Sequence, residues 1–175
     1  MNESAFKASS LRKQVAPLWL MLSLSFLWSQ ASTAGTEMID FKQANEHKNW
    51  TATNDNVMGG ISQGSLSFDG QSSAFFGDLS LVNNGGFSSI ARSIEPLPLK
   101  MNRVELVFVG DGRTYQLRLA TSIDGYRVTY RHEFSSIKGQ RQKKMFELNN
   151  FQAVFRGKLL TSASVLSAQD INQVG

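Results

Sequence analysis

Cysteine is absent from the 175 residues. That excludes disulfides, thiolate-held metal and a cysteine nucleophile. It does not fix the compartment. Histidine is almost as scarce, with only His47 and His132, far apart and without ligand spacing around either. A zinc site is therefore not expected. Excess charge of one sign is also small. The formal net charge is +4, but Lys7, Arg12, Lys13 and Glu3 lie in the N-terminal segment, and the rest carries 15 basic and 13 acidic residues. A domain so near neutrality does not read as a polyanion binder, and nucleic acid is not expected as a partner. Finally, no long apolar run is present. The longest, Val15–Trp28, has 14 residues, short of the roughly 20 that span a bilayer.

That run has a different use. Residues 1–14 are polar with net positive charge, and SQASTAG follows the apolar block. Ser32 and Ala34, or Ser29 and Ala31, form a small-x-small cut site. A charged region, a short apolar region and a small-residue site make a secretory signal peptide over residues 1–34. The expected destination is the periplasm or the extracellular space. The alternative is an uncleaved membrane anchor at residues 15–28. A mitochondrial presequence fits less well, because the apolar block is continuous rather than amphipathic. The remaining residues 35–175 are enough for a single domain with a real core.

What is present is glycine, phenylalanine and alternation. Fourteen glycines against three prolines, with 12 phenylalanines, suit an all-β domain with many turns. No long 3.6-residue periodicity appears after Thr36. Period two recurs instead. Val104, Leu106 and Phe108 alternate with Arg103, Glu105 and Val107, Tyr115, Leu117 and Leu119 with Gln116, Arg118 and Ala120, and Val128, Tyr130 and His132 with Arg127, Thr129 and Arg131. The turns GDGR at Gly110–Arg113 and SIDGY at Ser122–Tyr126 join them, so an antiparallel meander is expected. Ile61–Phe68, Ala74–Leu81 and Gly86–Ile94 read as earlier strands, with Asn84-Gly85 as a hairpin turn. Lys144–Leu148 and Ala153–Arg156 read as later ones. Pro96 and Pro98 suggest a crossover between sheets. Ser167–Val174 is the best short-helix candidate. Strands spaced roughly ten residues apart argue for a sandwich or barrel.

The densest stretch is NDNVMGGISQG, Asn54–Gly64. As a phosphate loop it lacks the lysine that follows the glycines, and a strand rather than a helix comes next. As a calcium loop it offers the Asp55 carboxylate and neutral oxygens from Asn54 and Asn56. Backbone carbonyls would have to complete the shell. The reading preferred is a turn in which Asn54, Asp55 and Asn56 bond the backbone of their own loop. Gly59 and Gly60 take dihedrals closed to other residues, and Val57 and Met58 plug the core. Asp55, Asp78, Asp111 and Glu133 read as turn or solvated residues. Nothing pairs them for glycoside hydrolysis, and no Gly-x-Ser-x-Gly elbow is present. No catalytic residue, metal ligand or cofactor site is expected. Trp50 is either a sugar-stacking platform or a lid on the core, the second being preferred. Lys138, Arg141, Lys143 and Lys144 read as an exposed basic loop, either solvated or facing anionic lipid or an acidic protein.

WTATNDNVMGGISQG, FFGDLSLVNNGGFSSIAR, GDGRTYQLRLAT and FQAVFRG, in that order, resemble the complex I intermediate-associated protein 30 family. The resemblance implies a galactose-binding-like jelly-roll β-sandwich. It also implies an assembly-factor or chaperone-like role in protein complexes, as for the mitochondrial members that help assemble respiratory complex I. The family signature falls on Trp50, Asn54, Asp55, Met58, Gly59, Gly60, Asn84, Gly85, Gly86, Arg92, Tyr115 and Arg156, which become the candidate binding residues. The family pattern continues past Gly175 into a final strand, so the chain is expected to lack it and to leave a sheet edge unpaired. A protein partner is the implied ligand. The alternative is an exported, lectin-like carbohydrate-binding domain.

Overall fold

The structure is a computed structural model and describes residues 38–175 apart from Asp124. The export signal expected at residues 1–34 lies outside the described residues. The described residues form eleven strands: β1 Thr51–Asn54, β2 Gln63–Phe68, β3 Ser73–Asp78, β4 Ser88–Ser93, β5 Arg103–Val109, β6 Thr114–Ile123, β7 Tyr126–Ser135, β8 Arg141–Glu147, β9 Gln152–Phe155, β10 Lys158–Leu159 and β11 Ile171–Val174. Among the described residues, helix is limited to single 3-10 turns. The all-β expectation holds. Seven strands form one sheet in the order β1-β4-β11-β6-β7-β9-β10, while β2-β3 and β5-β8 form two-stranded sheets.

Alternation decides which face is buried. Leu117 and Leu119 of β6 and Val128 and Tyr130 of β7 point to one side and are buried. Against them pack Val104 and Leu106 of β5 and Phe146 of β8. Phe134 meets Phe108 and Phe146 edge-on, each at 5.4 Å between ring centres. His132 sits edge-on to Phe146 and Phe151. These contacts make a two-layer sandwich.

The expected three-strand meander is corrected. The β6–β7 hairpin forms as read, in register from Thr114↔Ser135 to Ile123↔Tyr126. However, β5 pairs with β8 along its whole length, from Arg103↔Glu147 to Val109↔Arg141, and not with β6. GDGR is an arch from one layer to the other. Gly112, at φ +95°, donates its N–H to Ser136 Oγ at 3.0 Å, and Ser136 N–H donates to the Arg113 carbonyl at 2.9 Å. The β5–β6 and β7–β8 connections thus run side by side. Glycine-aspartate chemistry suits an arch as well as a hairpin, which is why the turn alone misleads.

Three further expectations are corrected. Ser167–Val174 is not a helix. One 3-10 turn at Ala168–Asp170 leads into β11, which lies between β4 and β6 and brings Ile171 into the core. Asn84-Gly85 does not turn a hairpin, because β3 pairs with β2 while β4 pairs with β1 and β11. Arg141, Lys143 and Lys144 belong to β8 rather than to a loop, and Lys143 pairs with Glu105 of β5 at 2.7 Å. The prolines were read correctly: Pro96 and Pro98 lie between β4 in the large sheet and β5 in the opposing layer.

Candidate functional site

The residues of NDNVMGGISQG and VNNGG come together around one carboxylate. Asp55 opens a 3-10 turn, Asp55–Met58, and is 0 % exposed. Its Oδ1 accepts the Ser62 N–H at 2.8 Å, and its Oδ2 accepts the Gly86 N–H at 2.6 Å and the Phe87 N–H at 3.4 Å. The Ser62 side chain, and then the N–H groups of Gly86, Ser62 and Phe87, hold the carboxyl below the ordinary carboxylate range against the opposing effect of burial. Asp55 was read as a turn or solvated residue. It is instead the buried anchor between two loops 31 residues apart in sequence.

The glycines explain how a carboxylate fits there. A side chain at Gly60 would fall onto the Asp55 carboxylate, and one at Gly85 would come within 2.5 Å of Asp55 Oδ2. Gly60 is therefore required for close approach and not, as expected, for its dihedrals. Gly59 does take the left-handed conformation, at φ +88°, in open space. Asn83 and Asn84 also have positive φ, and the Asn83 amide donates to the Gly59 carbonyl at 2.9 Å. Asn54 forms a second clamp. It accepts the Gly64 N–H at 3.0 Å and the Ser88 hydroxyl at 2.6 Å, joining β1, β2 and β4. Ser62 Oγ accepts the Ser80 N–H at 3.0 Å.

Trp50 and Arg92 meet at a residue that sequence reasoning missed. Glu46 Oε1 accepts the Trp50 indole N–H at 2.9 Å and the Arg92 guanidinium at 2.6 Å. Trp50 is half-buried, with its ring 5.4 Å from that of Phe41. Among the described residues, the central core cluster does not include Trp50, which packs on Phe41 instead. No local pattern marks Glu46, because its partners lie four and 46 residues away.

Two candidates stand apart. Tyr115, on β6, stacks on Phe134 at 6.0 Å, and burial, then Asp111, raises its phenol above the ordinary value. Arg156 turns the β9–β10 hairpin at φ +49°, with its guanidinium over the Phe155 ring at 5.3 Å.

The plug expected of Val57 and Met58 is corrected. Val57 is 72 % and Met58 67 % exposed, because Asp55 occupies the inner side of their turn. Ile61, Leu79, Leu81 and Val82 are exposed as well, Leu81 at 83 %. All six rise from the two loops that Asp55, Ser62 and Asn83 join. The sequence signal for this crown was apolar residues inside turn sequence, as in LSLVNNGG.

The described residues form an all-β sandwich whose signature loops are tied by a buried carboxylate and crowned by apolar side chains. The family model described as Complex I intermediate-associated protein 30 (CIA30) matches residues 39–175, and the chain belongs to that family. No curated protein matches it.

Proposed function

We propose that the chain is a non-enzymatic protein-binding module with an assembly-factor or chaperone-like role, and that the apolar crown on the signature loops is its contact surface. Family membership supports the role. The observation that carries the surface is the exposure of Val57, Met58, Ile61, Leu79, Leu81 and Val82 on two loops held by a buried network. Apolar side chains gathered on a well-tied scaffold mark an interaction site. Asp55, Asn54 and Arg92 are drawn into hydrogen bonds within the fold and act by shaping the loops, while Asn84 and Arg156 are exposed. The export signal read in residues 1–34 would direct the module across the membrane, where a membrane-embedded complex also presents surface.

The test is a deletion strain. Native gels of its membranes should show less assembled respiratory complex I. Wild-type chain should restore it, and Leu81→Asp should not. An unchanged complex I level in the deletion strain would overturn the proposed role.

A further inference from the structure

The face of the seven-stranded sheet that turns away from the core is a shallow groove of about 630 Å³. Most of its residues are polar. Thr53 of β1 stands opposite Ser89 of β4, Gln173 of β11 opposite Ala120 of β6, and Thr129 of β7 opposite Ala120 on the other side. Short side chains on adjacent strands leave the hollow, and Arg118 and Arg127 also line it.

The charge is concentrated and one-sided. Arg118 lies directly across from Arg131 in the β6–β7 register, and like charges so placed are unfavourable. Partial burial, and then Arg131 and Arg127, push the Arg118 guanidinium below its ordinary value. Arg118 donates to the Gln116 amide oxygen at 2.9 Å, and Arg127 donates to that of Gln173. These partners are neutral. Among the described residues, ion pairs are made by Arg92, Arg113 and Lys143; of these Arg92 also lines the groove, with its charge taken up by Glu46. Glu133 is on the same face of β7 but pairs with none of the three. The near-neutral domain thus carries a local cationic patch beside hydroxyl and amide groups.

We propose that this groove binds a small hydroxylated anion, a sugar acid or a sugar phosphate. Guanidinium groups match carboxylate and phosphate with paired donors. Thr53, Ser89, Thr129 and Gln173 supply partners for sugar hydroxyls. Phe87 is the one aromatic residue in the lining, beside the aliphatic Ile90, Ala91, Ala120 and Val174, and polar side chains make up most of the rest. The volume suits a ligand of one or a few sugar units. The groove lies on the strands themselves, and the apolar crown lies on the loops, so the two surfaces are tested independently.

The experiment is calorimetric titration of the full chain with D-glucuronate, D-glucose 6-phosphate and D-glucose. At least one anion should bind about tenfold or more tighter than glucose, a gap of about 1.4 kcal/mol. Which anion binds identifies the carboxylate or the phosphate as the recognised group. Arg118→Gln and Arg127→Gln should each weaken that binding about tenfold, and added salt should weaken it further. The melting temperature of Arg118→Gln should be unchanged or raised, because the repulsion from Arg131 is relieved. If Arg118→Gln does not fold, Arg127→Gln on the neighbouring strand decides. Equal binding of glucose, unchanged binding in folded variants, or no binding of either anion overturns the proposal. So does uptake of oligo-glutamate by a chain that takes neither sugar anion.

Discussion

The carboxylate of Asp55 and the backbone N–H of Gly86 meet at 2.6 Å across 31 residues of sequence. With Ser62 on its other oxygen, this contact turns two glycine-rich loops into one structure. A carboxylate without exposure is tolerable when donors converge on it, and very costly when they do not. Asp55→Asn replaces one acceptor oxygen with a donor that would face N–H groups. The expected result is a lower melting temperature and faster hydrogen exchange at Ser62, Gly86 and Phe87. An unchanged melting curve would contradict the anchoring role.

The acid limb of stability carries the same signature. Asp55, Asp40, Asp69 and Asp111 all titrate below their ordinary value of 3.8 in the folded state. Hydrogen bonds are the leading cause in each: the Ser62 side chain for Asp55, and backbone N–H groups of Lys42, Ser72 and Arg113 for the others. Between the folded and unfolded values the unfolded chain binds more protons, so stability rises with pH there. Their contribution is complete above the unfolded value and is lost as pH falls through the folded one. Urea midpoints should therefore be flat from pH 7 to about 5 and fall steeply below about 4. Asp55→Asn should show a shallower acid fall than wild type.

Glycines in the signature separate into two kinds. Gly60→Ala places a methyl on the Asp55 carboxylate and should cost about 1–3 kcal/mol by overpacking. Gly59→Ala meets no atom within 4 Å but has φ +88°, and should cost about 1 kcal/mol from backbone strain alone. Denaturant unfolding of the two variants checks the order, and a Gly59→Ala loss larger than that of Gly60→Ala would contradict it.

Arg92 and Glu46 form a largely buried charge-assisted contact that also holds Trp50. Arg92→Ala should destabilise the fold by about 2 kcal/mol. Loss of binding in that variant would then follow from lost structure, and melting curves run beside the binding assay would show it.

Strand content and the buried face were legible in the sequence because period two is a direct record of a half-buried strand. Leu117, Leu119, Val128 and Tyr130 came from that pattern alone. Strand partners were less legible. GDGR serves an arch and a hairpin equally well, so pairing of β5 with β8 required knowing what Ser136 touches. Asn84-Gly85 looked like a hairpin because local turn chemistry does not reveal that Asp55 will bond its following residues. At the site, the Asn54–Gly64 stretch was recognisable as structural, but its direction was inverted. Asp55 goes in, and Val57 and Met58 go out. Polarity alone argues for the opposite, and only the convergence of N–H groups reverses it. Glu46 and the arginine groove had no local signal, since both are assembled from separate strands or distant segments.

Changes to the crown should separate binding from stability. Met58→Asp and Leu81→Asp alter well-exposed side chains, so each should shift stability by only about 0.5 kcal/mol or less. The most direct test is quantitative mass spectrometry of proteins that co-purify with tagged wild-type chain and with the Leu81→Asp variant, the two having matched melting temperatures. The predicted result is that complex I subunits accompany the wild-type chain and fall about tenfold or more with Leu81→Asp, the scale expected of a central apolar contact. Equal recovery by both chains, or no complex I subunit with wild type, would contradict it.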